Sequence, residues 1–113
     1  MSDWRTDPHW PGVDVVMPIR NEAPHLVAAV AAIQAQNYAG DLRIVMAVGP
    51  SGDGTEAVAC ELAAHHANVT VVDNPSGRTP TALNLAISAG TSPVVVRVDG
   101  HSQLSDGYIE RAV

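Results

Sequence analysis

Phenylalanine is absent, cysteine occurs once, and charged residues make up only 16% of the 113 positions. The lone thiol, Cys60, excludes an intrachain disulfide framework and a cysteine-cluster zinc site, and a reducing, cytosolic setting fits it. The longest unbroken apolar run, Leu26 to Ile33, falls well short of the roughly 20 residues that cross a bilayer. The polar N-terminus also lacks the apolar stretch of a secretory signal. Basic residues are scarce: six Lys and Arg against twelve Asp and Glu leave a formal charge of −6 and a pI near 5.1. That balance argues against affinity built on neutralising nucleic-acid phosphates. What is present is 46% hydrophobic residues and a mean hydropathy of +0.07, too apolar for a disordered tail and sufficient for one compact domain. With no Phe, and Ala and Val supplying much of the apolar count, the core must be built from small and β-branched side chains. Such a core suits close packing of helices on a sheet.

Residues 1–12 carry Trp4, Trp10 and two prolines without a period and read as a leader, loose or docked through its indoles. The domain proper is expected over 13–113. A β-branched run from Val13 to Pro18 predicts a buried strand. A helix follows over about Pro24 to Gln36, with Leu26, Val27, Val30 and Ile33 at helical spacing. Leu42 to Val48 predicts a second strand that empties into the loop Gly49 to Thr55. Asp53 and Glu56 fit a capping box for a second helix carrying Val58, Leu62 and Ala63, which Asn68 closes. Val69 to Val72 predicts a third strand. Thr79 as N-cap with Pro80 announces a third helix bearing Leu83, Ala86 and Ile87 and ending at Gly90. Pro93 to Val98 predicts a fourth strand, and Ser105 to Val113 the start of a further helix. Four strand and helix alternations with short connections imply a Rossmann-like α/β fold, with a mostly parallel sheet and helices on both faces.

In such a sheet, ligands bind outside the carboxyl ends of the strands. Those ends are the loop Arg20 to Glu22, the loop Gly49 to Thr55, the segment Asp73 to Arg78 and Asp99 to His101, which hold most of the chemically capable side chains. Asp99 and His101 stand two apart around Gly100, so a carboxylate and an imidazole could share one divalent cation. Mixed oxygen and nitrogen ligation, with positions left to water and phosphate, suits Mn²⁺ or Mg²⁺. The bland alternative is that Asp99 caps a turn and His101 lies on the surface. Gly49 to Thr55 has the composition of a phosphate loop but neither the P-loop ending nor the dinucleotide-fold spacing, and a tight turn capped by Asp53 accounts for most of it. Arg78 either grips a diphosphate in bidentate fashion or is a solvated loop arginine. His9, His25, His65 and His66 are assigned no function, and Cys60 is expected to be a small packing residue.

Four blocks in order then resemble a known family: Val15 to Glu22, Ser51 to Thr55, Arg78 ahead of Ala82 to Ile87, and Val96 to His101. Together they look like the successive landmarks of family 2 glycosyltransferases over Val13 to Val113. The resemblance implies the A-type glycosyltransferase fold and a half that binds a nucleotide-diphosphate sugar, a UDP-sugar first, with Mn²⁺ or Mg²⁺. It implies that Asp99 and His101 occupy the family's Asp-x-Asp position, Asp99 meeting the ribose and metal region and His101 ligating the cation. Pro18, Arg20, Glu22, Asp53 and Arg78 are then expected around the nucleotide sugar. The Asp-Gly-His variant is reminiscent of succinoglycan-type exopolysaccharide enzymes. Val48 and Gly49 depart from the family, many of whose members carry aspartates there for uracil and ribose. The base is then held by backbone groups or by Asp53, or is not uracil.

The implied reaction is transfer of the sugar, with inversion, to a saccharide or lipid-linked acceptor. The family's general base and acceptor site follow the metal motif, so the parent protein is expected to continue past Val113, where any membrane anchor would also lie. The 113 residues alone are expected to bind donor and to have negligible transferase activity. Two other classes remain: a non-catalytic nucleotide-binding or interaction module of the same fold, and a nucleotidyltransferase. The latter would need a Gly-rich basic motif that Ile19 to Glu22 does not supply.

Overall fold

The computed structural model describes residues 10–100, 104 and 107–113. Its elements run β1 (Val13–Ile19), α1 (Ala23–Gln34), β2 (Leu42–Val48), α2 (Thr55–His65), β3 (Val69–Asp73), α3 (Thr79–Ala89), β4 (Val94–Arg97) and α4 (Tyr108–Ala112). All strand pairs are parallel, in the order β3-β2-β1-β4, with Val16 beside Val45 on one side and Arg97 on the other.

Chain direction explains which face each helix covers. Right-handed crossovers that step outward from β1 to β2 to β3 put α1 and α2 on one face, and the return from β3 to β4 puts α3 on the other. Side-chain alternation supplies both faces with apolar groups. Val15, Met17, Ile44 and Met46 pack with Leu26, Ile33 and Ile109 on the α1, α2 and α4 side. On the opposite side Val16, Val45 and Ala47 meet only Ala82 and Ala86 as buried partners, so α3 lies close to the sheet on methyl groups. The expected phenylalanine-free core of small and β-branched side chains is realised there.

Several local expectations are corrected. In α1 the buried stripe is Leu26, Ala29, Val30 and Ile33, and Val27 points outward at 58% exposure. The helix starts at Ala23 and ends at Gln34 because Ala35 and Gln36 close it with hydrogen bonds to Ala31 and Ile33 carbonyls. Ile87 is 47% exposed, since Ala82 and Ala86 already fill the α3 seam. Cys60 is exposed rather than packed, because Ala59 takes the buried position of α2. Asn68 does not close α2, which ends at His65; its amide instead bonds Gln34 and the Leu42 carbonyl. Arg78, in extended conformation, holds the N-cap position of α3 that Thr79 was expected to take, and no side chain caps it. Of the expected final helix, α4 spans only Tyr108–Ala112, behind a left-handed Gly107.

Trp10 docks edge-on against Tyr38, with ring centroids 5.3 Å apart, and the Tyr38 hydroxyl donates to the Pro11 carbonyl. Burial pushes the Tyr38 phenol up from its ordinary pKa. At the amino end of the sheet Asp14 is almost fully buried, its carboxylate accepting from the Ser92 hydroxyl at 2.7 Å and the Ser92 N–H at 3.1 Å. Gly90 lies against that carboxylate, and a Cβ there would sit 1.9 Å from Asp14 Oδ2.

Candidate functional site

The strand order reverses between β1 and β4, and outside the carboxyl ends of those strands lies a cleft of about 270 Å³. Open α/β sheets bind ligands at such a point. The β1 end contributes Pro18, Arg20 and Glu22; the β3–α3 connection contributes Asn74, Gly77 and Arg78; α3 contributes Thr79 and Ala82; the β4 end contributes Arg97, Asp99 and Gly100. Pro18, Arg20, Glu22, Arg78 and Asp99, all expected at the site from the sequence, thus line one cleft. His101 lies outside the described residues.

Asp53 is placed differently. It is exposed, does not line the cleft, and ties two helix starts together. Its Oδ2 accepts from the Ala23 N–H of α1 at 3.3 Å, and its Oδ1 accepts from the N–H and the hydroxyl of Thr55 at the head of α2. The Thr55 hydroxyl is the main reason its carboxyl is held below the ordinary range, with backbone N–H groups adding to the effect. The expected capping box is accordingly shifted. Gly54, at φ 85°, takes the N-cap position that only a residue tolerant of left-handed backbone fills cheaply, and Glu56 turns back to the Ser51 N–H.

The same seam continues through the first loop. Asn21, at φ 52°, donates its N–H to Ser51 Oγ at 2.9 Å and accepts from the Gly52 N–H at 2.9 Å. The Glu22 N–H donates to Thr55 Oγ1 at 2.9 Å. The Gly49 to Thr55 loop therefore acts on the cleft from behind, fixing the Arg20 to Glu22 loop that forms its wall.

The opposite wall is organised by Asn74, whose side chain is buried and bonded to the Arg78 carbonyl at 3.1 Å and the Ser76 hydroxyl at 2.9 Å. That turn brings Gly77 against Gly49, where a Cβ on Gly49 would sit 3.0 Å from Gly77 Cα. Any side chain at position 49, an acidic one included, would press on the Gly77 backbone. The Arg20 guanidinium lies on Gly77, 3.4 Å from where its Cβ would be.

Among the cleft residues not expected as site residues from the sequence, Asn74 and Arg97 carry the most polar chemistry. Both stand at the carboxyl end of a strand, and Arg97 is in phase with Asp99, two residues away on the same side of the extended chain. Strand alternation could have found it. Arg97 donates to Asp99 Oδ1 from Nε and from Nη2, both at 3.2 Å.

Three arginines, Arg20, Arg78 and Arg97, and two acidic residues, Glu22 and Asp99, line this cleft, with Arg97 and Asp99 in direct contact. Half of the chain's six basic residues therefore converge there, in a molecule of net charge −6. Planar guanidinium groups suit phosphate oxygens. Among the described residues no group of three or more His, Cys, Asp or Glu could enclose a metal. A carboxylate such as Asp99 in an arginine-lined cleft suits a hard divalent cation that would take its remaining ligands from water and a bound diphosphate. Among the described residues no helix is long and apolar enough to cross a membrane.

A family model described as glycosyl transferase family 2 matches residues 14–113. The succinoglycan biosynthesis protein ExoA of Rhizobium meliloti (strain 1021) is 34% identical over 101 residues, covering 88% of this chain and 31% of that protein. Among solved structures, the mannosyltransferase PcManGT from Pyrobaculum calidifontis, in complex with GDP-Man and Mn²⁺, superposes with a TM-score of 0.71 at 30% identity. The match covers 83% of this chain and 28% of that one. The chain thus spans about a third of the length of these relatives.

Proposed function

Since this chain belongs to glycosyl transferase family 2, we propose that its cleft binds the diphosphate of a nucleotide sugar with Mn²⁺ or Mg²⁺, in a protein that transfers the sugar to a saccharide or lipid-linked acceptor. The observation that carries this reading is that Arg20, Arg78, Arg97 and Asp99 line one cleft at the strand-order reversal. A diphosphate leaving group gathers negative charge as the glycosidic bond breaks, and donors already aimed at its oxygens lower the barrier without reorganising. Arg20, whose guanidinium lies on Gly77, and Arg78 are the groups for that task. Asp99, joined by His101, holds the cation, which when bound adds charge neutralisation at the departing diphosphate. Glu22 closes the nucleotide side of the cleft. Asp53 supports the site through the Ala23 and Thr55 amides.

Inversion at the sugar carbon, a role in polysaccharide biosynthesis like that named for ExoA, and a cytoplasmic setting go with this reading. The donor base is the least constrained element. UDP-sugars follow from the family resemblance, while the mannosyltransferase neighbour carries GDP-Man. Calorimetric titration of the 113-residue chain with UDP-glucose and GDP-mannose, with and without Mn²⁺, tests the reading. Metal-dependent binding of at least one donor, weakened tenfold or more by Asp99→Ala, is expected. No binding of any nucleotide would instead indicate an interaction module that keeps the fold without the chemistry.

A further inference from the structure

Arg97 is the cleft residue with the most specific contact and no task in the reading above. Its two donors, Nε and Nη2, both reach Asp99 Oδ1 at 3.2 Å. A guanidinium paired with both carboxylate oxygens would saturate the group, whereas this side-on contact occupies one oxygen and leaves Oδ2 as the one to face a cation. Both side chains are about half exposed, at 51% and 43%. Ion pairs so exposed are weak and can be exchanged.

We propose that Arg97 is a positioning residue that stands in for the cation: it holds the Asp99 carboxylate before the donor arrives and trades it for phosphate oxygens when metal and nucleotide bind together. The inference rests on the donor-site reading of the same cleft. A metal ion arriving alone must compete with Arg97 for Asp99 and enter a cleft already lined by Arg20 and Arg78. A nucleoside diphosphate arriving alone finds one of its three guanidinium partners engaged. When both arrive, Arg97 leaves Asp99 for an anion and the metal takes its place on the carboxylate. Each ligand therefore strengthens the other by the same factor, as linkage requires. Arg97 also orients Asp99 in the empty cleft, so the carboxylate need not be ordered anew at binding.

The test uses the 113-residue chain and measures Mn²⁺ alone, by the electron paramagnetic resonance of the free ion. UDP and GDP are titrated alone and with Mn²⁺ by calorimetry. Arg97→Met is expected to tighten binding of Mn²⁺ alone by about two- to fivefold, the range an exposed ion pair spans. It is also expected to weaken the nucleotide without metal and so shrink the coupling factor. Arg97→Lys, which keeps charge without the planar fork, should fall between the two. Arg43→Met removes the same charge at the amino end of β2, where Arg43 bonds Thr91, and should leave all three constants unchanged. Melting curves establish that each variant is folded. Unchanged Mn²⁺ binding in Arg97→Met, or an equal change in Arg43→Met, overturns the proposal while metal-dependent nucleotide binding by the unaltered chain keeps the donor-site reading. Absence of that binding in the unaltered chain removes both.

Discussion

Replacing Gly90 by alanine adds one methyl group and is expected to be among the most destabilising single substitutions in the chain. The backbone at Gly90, φ −89° and ψ 163°, is extended and open to any residue, so no backbone strain enters. The methyl carbon would stand 1.9 Å from Asp14 Oδ2 and 2.8 Å from its Cγ. Asp14 must then give up the Ser92 N–H and hydroxyl, its two hydrogen bonds in an almost fully buried position. A hydrogen bond to a charged group contributes about 1.5–3 kcal/mol, and a stiffer unfolded chain returns roughly 0.4–1 kcal/mol for Gly→Ala. Allowing for partial rehydration of the displaced carboxylate, the net loss is about 2–4 kcal/mol, which lowers the melting temperature of a domain this size by about 10 °C or more. Urea unfolding followed by circular dichroism measures the loss. The decisive comparison is made in an Asp14→Ala background, where the obstacle is gone and Gly90→Ala should cost no more than about 0.5 kcal/mol. Equal costs in the two backgrounds would refute the contact as the cause.

Three other perturbations follow from the geometry. Asp53→Ala frees the starts of α1 and α2, and the melting-temperature gap to the unaltered chain should depend on pH. Because the folded-state pKa of Asp53 is depressed, its contribution is fully present above the ordinary carboxylate pKa near about 4 and is lost as pH falls through the lower folded value. The gap should be constant between neutral pH and pH ~5 and close in stronger acid; a gap that widens there would contradict the assignment. Gly49→Asp introduces the acidic residue that the family resemblance leads one to expect there but drives a Cβ to 3.0 Å from Gly77 Cα, so about 1–3 kcal/mol of stability should be lost along with nucleotide affinity. Tighter UDP binding at unchanged stability would show that the turn yields. Tyr38→Phe removes the bond to the Pro11 carbonyl and should cost about 1 kcal/mol in chemical unfolding, with a shift in Trp10 fluorescence as its ring contact loosens.

The alternation of strands and helices, the parallel sheet and the gathering of Arg20, Glu22, Arg78 and Asp99 at one end were legible in the chain because hydrophobic period and loop composition are local signals. Tertiary packing decided the rest. Val27 and Ile87 sit within one residue of truly buried positions, and only the partner surface determines which side of an apolar stretch faces inward. Asp53 carries the chemistry of a ligand-binding carboxylate, yet its two oxygens are drawn to N–H groups thirty residues and two residues away, the first of which no local pattern reveals. Arg97 escaped notice because it sits inside a β-branched run, although its phase with Asp99 was available. The pairing of Gly49 with Gly77 could not be read at all, since it is a property of two turns meeting in space.

The methyl-lined seam under α3 has a consequence for how such a cleft can change over time. Ala82 belongs both to the buried contact with Val16, Val45 and Ala47 and to the wall of the cleft. Its volume sets the height of the first turn of α3 above the sheet, and with it the span between Arg78 and Arg97. A larger residue there would lift the helix start as a lever and open the mouth without replacing any charged group. Donor preference could drift by an ångström of gap through an apolar substitution, while the polar side chains that meet the diphosphate stayed the same.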